Sequence, residues 1–440
     1  MRRSCGGVHR TIRQGRERRA VPSCEVGLGR EPGARNLTLR EEPLFPHIGV
    51  VGVLWHRWTP QWMTQHQVMS RLAKYFKVIW IEPPEEWRHS ARQFARSTTH
   101  GRNPVPRTPG FEVDYSPWIP GFYRPAELQR KLIRFRARRV WRRLKASGCE
   151  RVVLYLWRPQ YANWFDDLPH DFSIYHIDDE YSFTEHDVPT SHAELDVLDR
   201  ANHVIIHSRG LMEKKGGGAA PTTFLPQGVD FAAFSAVRPE PADLAVIPHP
   251  RIGYTGFLKN QLDWPLLGSL ADRHPDFHFV YVGGRTTQTE VHSFLEAMSQ
   301  RSNVHFLGEK TVDLLAEYPQ HFDVCIMPYR RVDYTDSIYP LKLHEYLATG
   351  RPVVSSPIRT VQDFDDVIRI AGSVDQWSEQ LLAALDPEGA GPNAAQERRA
   401  VAMEHDWSRI VSTPARIILN ALAESDSWEN SLELDGPPTR

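Results

Sequence analysis

Lys342 and Glu345 lie three positions apart in the stretch DSIYPLKLHEYLATGRPVVSSPI, residues 336–358, and their residue types suggest ligand chemistry. A lysine in the first turn of a helix adds positive charge to the unpaired N–H groups there, which suits a phosphate. Glu345, one turn deeper, could accept two hydrogen bonds from a vicinal diol such as a ribose. The alternative is an i,i+3 ion pair on a solvated helix face.

The surrounding residues predict the helix that would position these two side chains. Asp336 or Ser337 could cap its start, and Pro340 fits a first turn, where its missing N–H costs nothing. Gly350 fits the left-handed position past the helix end, and a β-branched run beginning at Val353 predicts the next strand. The helix would follow the apolar segment FDVCIMPY, so its N-terminus would point beyond the end of a strand.

Strand-like and helix-like segments alternate along the chain in two blocks. The first block extends from Pro46 to Pro226, and the second begins at RIGYTGF after the proline-rich stretch RPEPADLAVIPHP, which predicts a linker. Such alternation indicates parallel, doubly wound sheets. We therefore predict an α/β fold of two Rossmann-like doubly wound parallel-sheet domains facing a cleft, with ligands outside the carboxyl ends of the strands.

A glycine turn follows the first predicted strand of the second block, in YTGFLKN. Gly256 would let the backbone approach a diphosphate closely, and Lys259 or Arg251 could neutralise its charge. The alternative is an ordinary strand-end turn, since any parallel sheet has several.

Acidic residues follow a strand of the first block in YHIDDEY. Asp178 or Asp179, with His176 and Glu180 nearby, could act on an acceptor hydroxyl as base or orienter, and Asp179 is preferred. The alternative is a helix-capping cluster. In WHRWTPQW, His56 could be a core histidine or a contact to a bound substrate.

The motif YPLKLHEYLATGRPVVSS resembles the C-terminal-domain motif of GT-B-fold glycosyltransferases, particularly the retaining branch that includes family 4 and teichuronic-acid-type sugar transferases. The resemblance covers residues 48–420 and includes TTFLPQGVDFAAF, where Gln227 replaces the more usual asparagine. The family often carries two glutamates in this motif: the second holds the ribose and the first contacts the donor sugar. Glu345 matches the second, Ser337 stands at the first, and Asp336 is a candidate substitute.

The resemblance implies a donor site, a reacting centre and an acceptor side. The predicted nucleotide-sugar contacts are Gly256, Phe257, Lys259, Ser337, Tyr339, Pro340, Leu341, Lys342 and Glu345. The predicted catalytic residues are Asp179, Asp336 and Lys342, and the acceptor-side candidates are His56, Asp178 and Asp179. The resemblance also places a nucleobase pocket at 308–310. We expect no metal, because GT-B enzymes generally lack the Asp-x-Asp metal site, and no cofactor besides the nucleotide-diphosphate sugar.

The domain boundaries follow from the same reasoning. We predict a disordered basic tail at 1–42, an acceptor-side domain at 43–235 and a nucleotide-sugar-binding domain at 236–402. A C-terminal helix at 403–424 would cross back to the first domain, and a flexible tail would follow at 425–440.

Composition narrows the partners and the compartment. The formal net charge is −1, which argues against nucleic acid, and the four cysteines lack a paired spacing, which fits a reducing cytoplasm. A basic helix at 128–145 could bind an anionic membrane at the inner face of the cell membrane, or its charges could form one solvated face of a packed helix. Its basic residues are Arg130, Lys131, Arg134, Arg136, Arg138, Arg139, Arg142, Arg143 and Lys145.

The resemblance implies a glycosyltransferase that moves a sugar from a nucleotide-diphosphate sugar to a glycan, lipid-linked or other acceptor, with retention of configuration. The expected setting is cell-surface polysaccharide or glycolipid biosynthesis. Two alternatives remain open: a GT-B-fold nucleotide-sugar epimerase, and a non-catalytic binding or assembly protein. Ser337, at the position of the first glutamate, is the feature that supports the second alternative.

Overall fold

A computed structural model of the chain describes residues 42–58, 62–83, 108–115, 126–181, 191–285 and 289–423. The predicted tail at 425–440 and all but the last residue of the tail at 1–42 lie outside these ranges. Residues 59–61 of the segment WHRWTPQW also lie outside them.

Within the described residues, seven parallel strands form the sheet of the first domain, in the spatial order β3-β2-β1-β4-β5-β6-β7. The strands are β1 (Ile48–Val53), β2 (Lys77–Ile81), β3 (Phe111–Asp114), β4 (Arg151–Leu156), β5 (Phe172–Ile177), β6 (His203–Ile206) and β7 (Thr222–Phe224). The helices between them are α1 (Thr64–Leu72), α2 (Ala126–Ala146), α3 (Trp164–Asp167), α4 (His192–Arg200) and α5 (Arg209–Lys215).

The strands read as unbroken apolar runs because helices cover both faces of the sheet. In β1, Ile48 and Val50 belong to the core on the α1 side, whereas Val51 and Val53 belong to the core on the α2 side. Side chains alternate between the two faces of a strand, so both sets are buried.

The second domain contains six parallel strands in the order β10-β9-β8-β11-β12-β13, again counting the described residues. They are β8 (Arg251–Thr255), β9 (His278–Val282), β10 (Val304–Gly308), β11 (Val324–Met327), β12 (Val353–Ser355) and β13 (Arg369–Ile370). The helices from here to the C-terminal end are α6 (Phe231–Ser235), α7 (Ala242–Ala245), α8 (Trp264–Arg273), α9 (Thr289–Ser299), α10 (Val312–Leu315), α11 (Asp333–Ser337), α12 (Lys342–Thr349), α13 (Val374–Leu385), α14 (Pro387–Ala390), α15 (Pro392–Glu404) and α16 (Trp407–Ala421). The strand order reverses between β8 and β11, which opens a crevice at their carboxyl ends.

The predicted α/β class and the two parallel sheets are confirmed. The prediction of a linker at RPEPADLAVIPHP is wrong, because this stretch contains α7 and its Leu244 and Ile247 are buried in the core of the second domain. The other differences concern short elements. The two-residue strand β13 and the four-residue edge strand β3 were not predicted, because so few residues show no periodicity. The apolar pattern of the segment TVDLLAEYPQ predicts one helix, but α10 ends at Leu315. A 3-10 turn at Pro319–His321 follows, since Pro319 has no N–H to continue a helix.

The chain crosses between the domains twice, and the two crossings pair with each other. The Val229 N–H donates to the His405 carbonyl at 2.9 Å, and the Trp407 N–H donates to the Val229 carbonyl at 3.0 Å. The second crossing separates α15 from α16, so the helix predicted from residue 403 begins instead at Trp407, where the Asp406 side chain caps it. Helix α16 then packs in the core of the first domain.

The two sheets belong to one compact unit, and α5 of the first domain contacts the α11 region of the second. The Ser208 hydroxyl donates to the Ser337 carbonyl at 2.5 Å, and Lys214 Nζ donates to the Ser337 hydroxyl at 2.9 Å. A Cβ atom on Gly210 would lie only 2.6 Å from the Asp336 carbonyl oxygen, so the two backbones touch there.

The described residues were searched for membrane-spanning helices and for metal-binding clusters. Within the described ranges, no helix is long and apolar enough to cross a membrane. In the same ranges, no group of three or more His, Cys, Asp or Glu side chains is arranged to hold a metal ion.

Candidate functional site

The turn after β8 contains the glycine that the sequence singled out. Gly256 has φ +131°, a conformation that residues with a side chain rarely adopt, and its N–H donates to the Val282 carbonyl at 2.8 Å. The turn after β9 is in close contact with the Gly256 turn. A Cβ atom on Gly283 would lie 2.0 Å from the Gly256 carbonyl oxygen. The backbone at Gly256 is therefore held in place. Neither Gly256 nor Gly283 has a side chain that would cover it.

Lys342 occupies the first position of α12 and lies against this turn. Its Nζ and Cε atoms would be 3.3 and 3.2 Å from a Cβ atom on Gly256. Nζ donates to the Tyr329 hydroxyl at 3.0 Å and lies 5.0 Å from the centre of the Tyr254 ring. The structure thus brings together the lysine and the glycine turn that were predicted separately, and adds two tyrosines that the sequence analysis missed.

Glu345 lies one turn further along α12, partly buried near Lys342 and Tyr254. Burial raises the pKa of Glu345 to about 7, although the charge of Lys342 acts in the opposite direction. Among the described residues, none donates a hydrogen bond to its carboxylate. The solvated Lys342–Glu345 ion pair considered as an alternative is not formed, since the lysine bonds Tyr329 instead.

The local structure around this helix differs from the prediction in two respects. Asp336 and Ser337 end the separate helix α11 and do not cap α12, whose N-cap is Leu341. Pro340 precedes that N-cap and does not lie in the first turn. Gly350 ends α12 in the left-handed conformation, with φ 78°, as predicted.

Two further donor-side candidates flank the Gly256 turn. Lys259 is partly buried, and burial together with the neighbouring charge of Lys342 lowers its pKa, while Asp179 of the first domain acts in the opposite direction. Phe257 is 51% exposed, and its ring lies 3.0 Å from where a Cβ atom on Gly284 would be. Glu309 of the segment 308–310 lies 3.6 Å from the same point, so that segment and Phe257 border one space.

Arg251 does not reach this site. It stands at the amino end of β8, is buried, and forms an ion pair with Glu240 and a 2.7 Å hydrogen bond to the Ile247 carbonyl. The predicted alternative role in neutralising a diphosphate is therefore wrong, because the carboxyl and amino ends of a strand lie at opposite edges of a sheet.

Asp179 follows β5 and faces the second domain. One of its carboxylate oxygens accepts from the Glu180 N–H at 2.8 Å, and the other accepts from the Tyr334 hydroxyl of the second domain at 3.3 Å. Burial and the charge of Asp178 raise the pKa of Asp179. A carboxylate in a cleft whose pKa is raised is a candidate base or orienter of a hydroxyl group.

Asp178 and His56 lie beside it, linked by one glutamine. Gln65 donates to Asp178 at 3.0 Å, and its side-chain oxygen lies 3.3 Å from His56 Nδ1. Burial alone would raise the pKa of Asp178, but Arg158 and a 2.6 Å hydrogen bond from Tyr181 outweigh it and lower that pKa. Burial lowers the pKa of His56. Gln65 and Arg158 were missed, although Arg158 stands just past the carboxyl end of β4, where ligand contacts are expected.

The other members of the YHIDDEY cluster are structural. His176 is buried, stacks on Trp157 with ring centres 4.1 Å apart, and has Nδ1 2.9 Å from the Tyr155 hydroxyl. Glu180 is buried in an ion pair with Lys215 at 2.7 Å.

The remaining predicted donor contacts have partners within the protein. Ser337 is 1% exposed and bonded to the first domain, and the Asp336 carboxylate accepts from the Arg359 N–H at 3.3 Å. The buried Tyr339 hydroxyl lies 2.8 Å from His344 Nε2. Leu341 packs against the core of the first domain. Their contacts to a nucleotide sugar stay predictions.

Comparison with known proteins identifies part of the chain. Residues 250–386, in the second half of the chain, match the family described as Glycosyl transferases group 1. Over 226 residues the chain is 30% identical to TuaH of Bacillus subtilis (strain 168), which is named as a teichuronic acid biosynthesis glycosyltransferase. This alignment covers 49% of the chain and 56% of TuaH, so the chain spans just over half the length of this relative.

Solved structures match over most of the chain at low identity. A glycosyltransferase from Rickettsia africae superposes with a TM-score of 0.59 at 10% identity, over 85% of this chain and 98% of that one. A UDP-forming trehalose-phosphate synthase from Burkholderia xenovorans superposes with a TM-score of 0.58 at 12% identity, over 86% and 100%. The fold is that of the GT-B glycosyltransferases, as the sequence motif predicted, whereas membership of the retaining branch stays a prediction.

Proposed function

We propose that the protein is a glycosyltransferase that moves a sugar from a nucleotide-diphosphate sugar to a glycan or lipid-linked acceptor with retention of configuration. One observation carries the proposal: three groups lie together at the carboxyl edge of the second sheet. They are Lys342, the Gly256 turn and the carboxylate of Glu345, which accepts no hydrogen bond from the described residues. This is the crevice in which doubly wound sheets bind ligands. The family match over 250–386 covers all three residues.

The donor side explains how the sugar–phosphate bond would break. As that bond breaks, negative charge develops on the departing diphosphate. The Gly256 backbone, the ammonium group of Lys342 and the N-terminus of α12 stabilise this charge from fixed positions. Glu345 accepts hydrogen bonds from the ribose hydroxyls and thereby orients the nucleotide. The reaction requires no cofactor beyond the donor.

The acceptor side belongs to the first domain. Asp179 orients the acceptor hydroxyl, with His56 and Asp178 as further contacts, and it faces Lys259 across the cleft. Water excluded between the domains cannot compete with the acceptor, which limits hydrolysis of the donor.

We place the enzyme in cell-surface polysaccharide or glycolipid biosynthesis at the inner face of the cell membrane, supported by the relation to TuaH and by α2. Part of the basic charge of α2 is used internally, since Arg136 and Arg139 bind Asp114 and Arg143 binds Glu112. An outward stripe remains available for anionic lipid, with Phe135 63% exposed among the cations. Its basic residues are Lys131, Arg138 and Arg142.

A thermal-shift screen with UDP, GDP, CDP and ADP and their sugars tests the donor site. A nucleotide that binds only the folded state raises the melting temperature of the parent, and Glu345→Ala should abolish the increase. The exposed Glu296→Ala of α9 is the matched control and should retain it. Stabilisation by no nucleotide, or equal stabilisation of both variants, would contradict the proposed donor site and favour a non-catalytic assembly protein.

A further inference from the structure

Tyr334 of α11 reaches from the second domain into the acceptor side of the first. Its hydroxyl donates to Asp179 Oδ2 at 3.3 Å, whereas the other carboxylate oxygen is bonded by the neighbouring backbone N–H of Glu180. One oxygen of the proposed orienting carboxylate is thus held by its own loop, and the other by the opposite domain.

Helix α11 is itself anchored to the first domain. Ser337, at its end, accepts from Lys214 and, through its carbonyl, from Ser208, and the Asp336 backbone lies in contact with Gly210. These contacts join α11 to both ends of α5, so the position of Tyr334 depends on the approach of the two domains. The same five-residue helix is followed closely by α12, which carries Lys342 and Glu345.

The charged and titratable groups that face Asp179 come from several elements. Those on the first domain are Asp178, Arg158, His56 and His207, and those on the second are Lys259 and Tyr334. Of the two groups from the second domain, Tyr334 is the one whose hydrogen bond to the carboxylate is seen.

We infer that Tyr334 is a positioning residue that orients Asp179 toward the acceptor hydroxyl when the two domains are closed. This inference rests on the proposed function and deepens it, because it links the donor-binding domain to the acceptor-binding carboxylate. When the domains are apart, Asp179 keeps only the hydrogen bond from the Glu180 N–H. Its other carboxylate oxygen then has no donor that fixes its orientation toward the acceptor.

A donated hydrogen bond stabilises the ionised form of a carboxylate, so its loss raises the pKa of that group. Tyr334→Phe removes the hydroxyl and keeps the ring, and it should raise the apparent pKa of Asp179 by about one unit, the order expected for one hydrogen bond to a charged group. The acidic limb of the kcat profile should move to higher pH by the same amount. At optimal pH kcat should fall about tenfold, with the KM for the donor little changed.

Tyr318→Phe is the matched control, because the Tyr318 hydroxyl donates to an aspartate, Asp243, at 2.9 Å elsewhere in the second domain. The Asp179 carboxyl is followed by NMR in full-length protein labelled with 13C at aspartate, with Asp179→Asn providing the assignment. This titration needs no donor. Transfer or hydrolysis of the nucleotide sugar that stabilises the parent supplies kcat.

The two readouts separate two failures. A titration of Asp179 that is the same in Tyr334→Phe, Tyr318→Phe and the parent would overturn the positioning role. A changed titration without turnover in the parent would overturn the proposed transfer and, with it, the orientation of an acceptor. If Tyr334→Phe and Tyr318→Phe lower the melting temperature and kcat equally, the Tyr334–Asp179 contact serves stability alone. That result would overturn the positioning role.

Discussion

Lys342 and Gly256 are in contact across the crevice of the second domain: Nζ lies 3.3 Å from where a Cβ atom on Gly256 would stand. The two residues are 86 positions apart and belong to the turn after β8 and the start of α12. Because Gly256 has no side chain, the ammonium group and the backbone of the turn can face the same ligand.

Gly256→Ala should therefore weaken nucleotide binding. The substitution forces a side chain into a conformation with φ +131° at a cost of about 1–3 kcal/mol, and it pushes against Lys342. We expect the Kd of the stabilising nucleotide to rise about tenfold, which corresponds to about 1.4 kcal/mol, measured by titration calorimetry. Gly217→Ala is the control, since nothing lies within 4 Å of its added carbon. Parent affinity in Gly256→Ala would contradict the close-approach argument.

The raised pKa of Glu345 predicts how stability varies with pH. The folded protein binds this proton more tightly than the unfolded chain, so the group contributes stability below pH 4.5, and this contribution is lost as pH rises to about 7. The full difference corresponds to about 3 kcal/mol. Urea unfolding should give Glu345→Gln the same free energy of unfolding as the unliganded parent near pH 4.5. At pH 8 the variant should be more stable than the parent.

The same ionisation should affect the nucleotide in the opposite sense. A ribose diol donates hydrogen bonds to the carboxylate, so nucleotide affinity in the parent should fall as pH drops below about 7. In Glu345→Gln the affinity should be lower and nearly independent of pH over the same range. A parent affinity that is constant from pH 5 to 8 would argue against the ribose contact.

Arg136 should matter for stability and not for the proposed membrane contact. It is largely buried, donates to Asp114 at 2.8 Å and to the Glu82 carbonyl at 2.6 Å, and Asp114 is itself buried. Arg136→Ala leaves that carboxylate with fewer partners, so urea unfolding should show a loss of about 3 kcal/mol. Arg151→Ala removes a half-exposed ion pair with Asp171 and should cost less than about 1 kcal/mol. Equal losses would contradict the difference in burial.

The outward stripe of α2 should govern binding to anionic vesicles. Phosphatidylcholine vesicles with 30% phosphatidylglycerol should bind the parent, and Arg138→Glu with Arg142→Glu should lower the partition coefficient at least about tenfold, given about 1 kcal/mol per basic residue. Arg273→Glu with Arg416→Glu changes the net charge equally on other surfaces and is the control. If both double variants bind as the parent does, or the parent does not bind, the membrane contact is wrong.

The structure also separates residues that lie close together in the motif or near it in sequence. Ser337 was aligned with a sugar-contacting glutamate, but α11 and α12 are separate helices, so residues eight positions apart do not share a helix face. Ser337 faces α5 of the first domain instead. Arg251 begins the five-residue strand β8 and Gly256 follows its end, so the strand places the two residues at opposite edges of the sheet.

The sequence by itself determined the fold class, the strand-ending glycine and the helix with Lys342 and Glu345, because these depend on local patterns: apolar runs, a residue without Cβ and a short motif. Only the tertiary structure decided which distant residues meet. The contacts of Lys342 with Tyr329, of Tyr334 with Asp179 and of Arg136 with Asp114 depend on how strands are ordered and how two domains pack. No local spacing encodes such contacts, because each joins side chains whose separation is set by the whole core.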